Sequence, residues 1–337
     1  MRASVIIPTR GRPVAIKQAM RSLQDAGARE LGVEVLVVDN NVDLALRADL
    51  RRACELAGEP VRYLVEPAPG QTAARHCGAS EARGEILIYV DDDVQVSARW
   101  FEAIFRAFED KSIAIVGGPS VPVFDGSVPP WIWDFIEPSP YGGWWCGWLS
   151  LLDIGRDVDD IDPTWIWGLN FSIRRQVLFD LGGFHPDLVP ADLQRWQGDG
   201  ETGLSLRAKV GGVRAAFRHD ALLHHHIGTD RMTPEAFAKR AYYQGICDSF
   251  TRIRQGIEPS ATAPGPMAAR PEEGRWSGAA REVRAATVVA YNEGWTFHQR
   301  EAARDIRLLA WVRRPDFWSA DIRDEARMLA LASNAPA

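Results

Sequence analysis

The sequence predicts an α/β protein built on a doubly wound, mostly parallel sheet, and three observations carry that prediction. Between Ala3 and Val116, short aliphatic runs alternate with amphipathic helical patterns as β-α-β-α-β-α-β-α-β. The links between them are short, which implies right-handed crossovers. Polar clusters follow three of the strands, at Thr9/Arg10, Asp39/Asn40 and Asp91–Asp93. Parallel strands bring such ends to one edge of the sheet, where open α/β sheets bind ligands.

Each element has its own signal. Ala3–Ile7 is a first strand, ending at Pro8-Thr9-Arg10-Gly11-Arg12. Pro13 fits the first turn of a helix whose apolar stripe is Ile16, Ala19, Met20 and Leu23. Val33–Val38 is a second strand, closed by Asp39-Asn40-Asn41, and the helix Leu44–Leu56 is stopped by Gly58 and Pro60. After the third strand, Val61–Val65, Pro69-Gly70 opens a helix containing Ala73, Ala74, Arg75, Gly78 and Ala79, small enough to approach a sheet closely; Gly84 ends it. Ile86–Val90 is apolar or aromatic throughout, as a strand buried on both faces would be, and it runs into Asp91-Asp92-Asp93. Ser97 is placed to cap a helix carrying Trp100, Phe101, Ile104, Phe105 and Phe108. Ile113–Val116 is the fifth strand.

Past Pro119 the texture changes. Val121–Leu152 is rich in Trp, Pro and Gly. Trp165–Ile173 alternates as a half-buried strand would, with Asn170 and Ser172 on one face. A short helix, Arg174–Leu181, is followed by Gly198-Asp199-Gly200-Glu201 and a helix Thr202–Val210. Strands Val213–Phe217 and Ala221–His226 and a helix from Pro234 to about Gln255 complete this part. Residues 256–278 read as a flexible linker. Residues 279–337 read as a helical C-terminal extension broken at Pro315.

Composition narrows the function. A net charge of −6 argues against nucleic acid as the partner. No run approaches 18 apolar residues, so no transmembrane segment is expected, though peripheral membrane contact is compatible with the composition. The N-terminus reads as a strand, not a signal peptide. Four scattered cysteines, Cys54, Cys77, Cys146 and Cys247, lack metal-ligand spacing and suit a reducing, cytoplasmic setting, including the inner face of a membrane. Neither a G-x-G-x-x-G fingerprint nor a P-loop is present, so a nucleotide would be held through its base, its ribose and a metal. Three adjacent carboxylates repel one another unless something positive joins them. All-oxygen ligands suit Mg²⁺ or Mn²⁺ as cofactor, and Mg²⁺ commonly shares its remaining positions with water and substrate phosphates. The plain alternative is a solvated acidic turn.

Several segments together resemble the inverting glycosyltransferases of family 2, which have the GT-A fold. They are Val5-Ile-Ile-Pro-Thr9, Val37-Val-Asp-Asn40, Ala74-Arg75 with Gly78, and Gly84-Glu-Ile-Leu-Ile-Tyr-Val-Asp-Asp-Asp93. Gly168-Leu-Asn-Phe-Ser-Ile-Arg174, Gly182-Gly183-Phe184, Gly198-Asp-Gly-Glu201 and His224-His-His226 follow in the family's order. The resemblance spans roughly residues 3–245 and implies a Rossmann-like sheet with an acceptor-side subdomain. Residues 1–118 would be the nucleotide-sugar-binding half, and residues 119–255 the acceptor and catalytic half. The sequence departs from the family at His76, where Asn is usual, and in the order Asp199-Gly200-Glu201, where Glu-Asp is common.

The resemblance also implies roles. Asp39 would meet the nucleobase with Pro8, Thr9, Arg10 and Asn40 beside it. Arg75 would neutralise the diphosphate or bond the base edge, Asp91 would face the ribose, Asp92 would stand with it among the donor-binding residues, and Asp93 with Asp91 would hold Mn²⁺ or Mg²⁺. Glu201 would be the general base, with Asp199 orienting it or meeting the acceptor. A helix N-terminus favours the carboxylate form a base needs, although Glu201 could equally be an ordinary helix-start acid. Trp131, Trp133, Trp165 and Trp167 could stack on sugar faces or simply fill core, with Gly168 and Asn170 beside them. Strand alternation points His225 opposite to His224 and His226, and the family's spacing after Ala221 selects His225 for the metal. The implied sugar donor is a nucleotide-diphosphate sugar, UDP-linked by preference, and the implied acceptor a glycan or glycolipid in surface polysaccharide synthesis. The competing readings are a nucleotidyl- or phosphoryl-transferase on a similar sheet, and a catalytically silent sugar-binding scaffold.

Overall fold

The computed structural model describes residues 1–262, 265–266, 276–320 and 322–323. The first half follows the predicted alternation: β1 (Ala3–Thr9), α1 (Pro13–Asp25), β2 (Val33–Asp39), α2 (Leu44–Ala57), β3 (Val61–Val65), α3 (Gln71–Glu81) and β4 (Ile86–Val90). Pro13 sits in the first turn of α1, and Ile16, Ala19, Met20 and Leu23 are its buried face. Asp43 caps α2 by accepting from the Ala45 and Leu46 amides. A three-residue strand, β5 (Val94–Val96), follows the acidic triplet, before α4 (Trp100–Ala107) and β6 (Ile113–Gly117). Ser97 does not cap α4 as expected; Arg99 occupies the cap position without a side-chain bond, and the Ser97 hydroxyl donates to the Asp220 carbonyl. The short β5 was masked in the sequence by the neighbouring helix signal.

Beyond Pro119 come β7 (Ser120–Phe124), β8 (Glu137–Pro138), β9 (Trp144–Cys146), β10 (Leu151–Asp153), β11 (Val158–Asp159) and β12 (Asn170–Arg174). Then follow α5 (Arg175–Asp180), α6 (Gly200–Val210), β13 (Arg214–Phe217), β14 (Leu223–Ile227), α7 (Pro234–Arg254), α8 (Gly278–Arg304) and α9 (Ile306–Val312). The described strands form two sheets. The larger runs β11-β13-β6-β12-β4-β1-β2-β3, and the smaller β5-β14-β7-β10-β9-β8. In the larger sheet β1, β2, β3 and β4 are parallel, while β12 inserts antiparallel between β4 and β6. Both faces of β12 are covered, so Asn170, Phe171, Ser172 and Ile173 are all buried rather than alternating in and out. The alternation in its sequence reflects the polar partners Asn170 finds inside, not a wet face.

The helical extension packs on α7. Gly245 of α7 lies against the backbone at Tyr291, and Gly294 of α8 against the backbone at Tyr242, each so closely that a Cβ would collide with a carbonyl oxygen. A break precedes the expected one: Asp305 ends α8 and caps α9, accepting from Arg307 and Leu308, and α9 itself ends at Val312, just before Pro315. Residues 263–264 and 267–275 of the expected linker, and 321 and 324–337 of the expected helix, lie outside the described residues. Trp276, at the near end of that linker, is buried against Phe135.

Candidate active site

The C-terminal ends of β1, β2 and β4 meet as predicted, with Thr9 in register with Asp39. The Thr9 hydroxyl donates to Asp92 Oδ2 at 2.6 Å, and Arg12 reaches Asp92 Oδ1 at 3.0 Å and Asp93 Oδ2 at 2.5 Å. Burial pushes the Asp92 carboxyl up to about 6 despite Arg12 and Thr9. Its contacts make it a tie between strand ends. Asp39 and Asn40 differ from the expectation that they contact a base. Asp39 is fully buried; it accepts from the Asn41 amide and side chain at 2.8 Å and from the Tyr63 hydroxyl at 2.5 Å. The Asn40 amide donates to the Glu66 and Ala68 carbonyls and accepts from the Gly70 amide. These residues shape the loops around the crevice from beneath. Pro8 is buried, and Arg10 is exposed at the crevice mouth.

Across the crevice, α3 carries Arg75, whose side chain is 3% exposed. Its guanidinium lies 3.2 Å from Glu201 Oε2 and 3.7 Å from Asp91 Oδ1, spanning the acidic strand end and the start of α6. Gln71 also donates to Asp91 Oδ1 at 3.1 Å. The Gly168 amide donates to Glu201 Oε1 at 3.2 Å. Burial alone would raise the pKa of Glu201, but Arg75 and the backbone amides outweigh it and hold the carboxyl below its usual range. Glu201 therefore stays ionised while its side chain remains 27% exposed.

Gly168 is glycine for a steric reason. A Cβ there would stand 2.5 Å from Arg75 Nη2 and 2.9 Å from Glu201 Cδ. Gly168→Ala is expected to part the pair and cost about a hundredfold or more in turnover, the scale set by small misplacements in active sites. Circular dichroism and melting temperature should remain close to those of the unmodified protein. An alanine variant of full activity would show that the pair need not be held this closely.

A family model for glycosyl transferase family 2 matches residues 4–178, just over half of the 337 residues. The chain belongs to glycosyl transferase family 2. A curated relative, the pre-mycofactocin glycosyltransferase of Mycobacterium tuberculosis, is 22% identical over 249 residues, covering 72% of this chain and 46% of its own length. The chain thus spans under half the length of that relative. The crystal structure of GalNAc-T7 with UDP, GalNAc and Mn²⁺ superposes with a TM-score of 0.52 at 15% identity, over 91% of this chain and 57% of that one. The mannosyltransferase PcManGT from Pyrobaculum calidifontis, in complex with GDP-Man and Mn²⁺, superposes with a TM-score of 0.49 at 15% identity, over 98% of this chain and 79% of that one. The fold is GT-A.

Family 2 membership implies a divalent cation, and the residues beside β14 accommodate one. Asp93 Oδ1 is buried without a hydrogen-bond partner and faces His225 Nε2 at 3.6 Å. Arg231 donates to the same nitrogen at 2.8 Å; since Arg only donates, Nε2 carries a lone pair, which is the form a ligand needs. A cation taking that lone pair must displace the Arg231 hydrogen bond. Asp91 turns instead toward Arg75 and Gln71. Among the described residues no three His, Cys, Asp or Glu side chains converge on one metal position. Asp93 and His225 would supply two ligands, leaving the rest to water and phosphate, and the imidazole favours Mn²⁺ over Mg²⁺. The observed strand has the expected alternation: His225 is buried, and His224 and His226 are half-buried on the other face. His225→Ala is expected to raise the Mn²⁺ concentration for half-maximal rate at least tenfold, with His224→Ala and His226→Ala near the unmodified value. A shift confined to either neighbour would exclude His225 as the ligand.

The remaining sequence candidates divide between the site and the core. Asp199 is 5% exposed; its Oδ1 pairs with His185 Nδ1 at 2.5 Å and its Oδ2 accepts from Thr251 at 2.6 Å, leaving neither oxygen for an acceptor. It anchors the start of α6. Asn170 is likewise committed, to the Pro119 and Ala221 carbonyls and to Trp100 Nε1. Trp131 is packed edge-on against Phe135 and Phe237 and belongs to the core. Trp165 and Trp167 pack against Trp145, and Trp133 is 52% exposed.

Sequence reasoning missed Arg12, Arg231, Arg240 and Asp187. Arg12 was visible in Arg10-Gly11-Arg12, two residues beyond the expected cluster. The others lie in segments without a strand-end signal. Asp187 accepts from Gln197 at 2.6 Å and from the Leu188 amide. Burial, and then repulsion from Glu201, push its carboxyl up to about 6. A carboxyl with a raised folded pKa stabilises the fold at acid pH, and that contribution is lost as pH rises from about 4 to about 6. Asp187→Asn keeps both accepted bonds, so it should be about 1–2 kcal/mol more stable than the unmodified protein at pH 7, with the gap vanishing near pH 4. Urea melts at the two pH values measure it; an equal difference at both would remove Asp187 from the pH response.

Proposed function

We propose that the chain is a metal-dependent, inverting glycosyltransferase that moves a sugar from a nucleotide-diphosphate sugar, UDP-linked by preference, to a hydroxyl of a glycan or glycolipid acceptor. The observation that carries this is Glu201, kept ionised by Arg75, positioned by the Gly168 amide and still open to the crevice. In this reading residues 1–118 hold the sugar donor and residues 119–255 bring the acceptor. Glu201 takes the proton of the acceptor hydroxyl as its oxygen attacks the anomeric carbon from the side opposite the leaving diphosphate. One displacement inverts the configuration, by the geometry that governs inverting hydrolysis. Arg75, within reach of Asp91 and Glu201, keeps positive charge between the sugar donor and the base. Arg12 and Arg231 flank Asp93 on the diphosphate side. A cation bound by Asp93 and His225 would act as a Lewis acid on the departing diphosphate.

In this reading the transfer belongs to surface polysaccharide synthesis; among the described residues no helix is long and apolar enough to cross a membrane. The test is a panel of nucleotide sugars screened by thermal shift with and without Mn²⁺, then by release of the nucleoside diphosphate. A tight ligand raises the melting temperature by mass action. A Mn²⁺-dependent shift with a UDP-sugar is expected. No shift from any nucleotide sugar, or turnover indifferent to chelator, would defeat the proposal.

A further inference from the structure

The acceptor half contains an apolar cavity of about 370 Å³, within the size range of small-molecule sites. Its wall includes Pro122, Phe124, Trp133, Trp144, Leu149 and Leu151, and no charged side chain contributes to it. Even Cys146, which also lines it, is a buried thiol whose pKa is pushed up to about 11, so it is neutral there. Trp133 forms part of this wall while 52% exposed, and it packs edge-on against Phe124. A wall whose side chains offer only two indole N–H groups and a thiol provides few partners for the several hydroxyls of a sugar. It is well matched to hydrocarbon.

The cavity connects to the transfer site at two places. Pro122 on β7 is in parallel register with His225 on β14. Ser150, between the lining residues Leu149 and Leu151, accepts from Arg240 at 3.0 Å. Burial and repulsion from Arg231 lower the Arg240 pKa, and the negative charges of Glu201 and Asp187 act against them. A molecule lying in the cavity is therefore bordered by Arg240, the polar side chain that donates to Ser150 beside its wall.

We propose that this cavity binds the hydrocarbon portion of an amphiphilic acceptor, a glycolipid whose attacking hydroxyl points past Arg240 toward Glu201. The proposal rests on the glycosyltransferase reading and narrows its acceptor from glycan or glycolipid to glycolipid. Arg240 marks the boundary between the apolar wall and the polar crevice, where headgroup and chain would join.

The test is calorimetric binding of n-alkyl β-D-glucosides of increasing chain length, below their micelle concentrations, to the whole protein without any sugar donor. Affinity is expected to rise roughly three- to fourfold for each added methylene, with methyl glucoside binding weakly or not at all. Burial of the chain should also give a negative heat-capacity change. Trp133→Glu and Trp144→Ala should each weaken decyl glucoside binding at least tenfold, while Val210→Glu, at a position 90% exposed, should leave it unchanged. Decyl glucoside binding no tighter than methyl glucoside would overturn the proposal, as would both Trp variants binding it like the unmodified protein. UDP binding with Mn²⁺, measured on the same samples, separates the two readings. If UDP binds and the alkyl chain does not, the cavity assignment fails alone; if neither binds, the glycosyltransferase reading fails with it.

Discussion

Glu201→Gln is expected to lower transfer by about 10²- to 10⁴-fold, the usual contribution of a positioned general base. Affinity for the sugar donor should stay within a few fold, since Glu201 touches Arg75 and the Gly168 amide rather than the end of β4. The amide is nearly isosteric but cannot accept the acceptor's proton at neutral pH. It also turns one of its two positions into a donor, facing either Arg75 or the Gly168 amide, both of which donate already. The pH profile gives a second readout. Because Arg75 holds the Glu201 carboxyl below the ordinary glutamate range, near 4.3, the acid limb of kcat/KM should lie below that value. Arg75→Gln should move that limb upward, because burial would then act on Glu201 without the opposing charge. A Glu201→Gln enzyme retaining most of its activity, alongside an inactive Asp187→Asn enzyme, would transfer the role of base to Asp187.

Asp93→Ala should remove Mn²⁺-stimulated binding of a nucleoside diphosphate, by about a hundredfold or more, since even the outer partners of metal ligands act on a 10–100-fold scale. The carboxyl sits among three partners: His225 at 3.6 Å, Arg12 at 2.5 Å and Arg231 at 3.6 Å. Burial opposes its ionisation, but the positive charges of Arg12 and Arg231 act against burial, and the carboxyl stays below the ordinary carboxylate range. Removing it frees both arginines to meet phosphate directly. Metal-free binding should therefore survive in the variant or strengthen, so that Mn²⁺ ceases to matter while the nucleotide still binds. Calorimetric titration of UDP with Mn²⁺ and with chelator distinguishes these outcomes. An unchanged Mn²⁺ effect in the variant would show that Asp93 is not a ligand.

The donor-side sheet was legible because its signals are local. Ile86–Val90 reads as a doubly covered strand from its own composition and length, and Pro13, Gly58 and Gly84 mark boundaries by their backbone limits. Glu201 and Arg75 could be named from motif spacing, but their contact joins residues 126 positions apart. What the sequence left open was which polar side chains are already satisfied. Asp39, Asn170 and Asp199 look like ligand-seeking residues in one dimension, yet each finds its partners within the fold. The tryptophans were ambiguous for a similar reason: Trp131 and Trp133 are two residues apart, but one is wedged against Phe237 and the other reaches water. Arg231 and Arg240 gave no signal because their role depends on where α7 and the turn before it land.

The glycine contacts between α7 and α8 put the C-terminal extension in gear with the transfer site. Gly245 and Gly294 bring the two backbones together with no side chains to cushion them, so α8 cannot slide along α7 without driving Cβ atoms into carbonyls. One helical turn of slip, about 5.4 Å, would set Ala290 or His298 where Gly294 lies. On one side of this bearing Arg240 of α7 donates to Ser150; on the other its Thr251 donates to Asp199 at the root of α6. The close contact at Gly245 thus ties the C-terminal extension, through α7 and Asp199, to the start of the helix that carries Glu201.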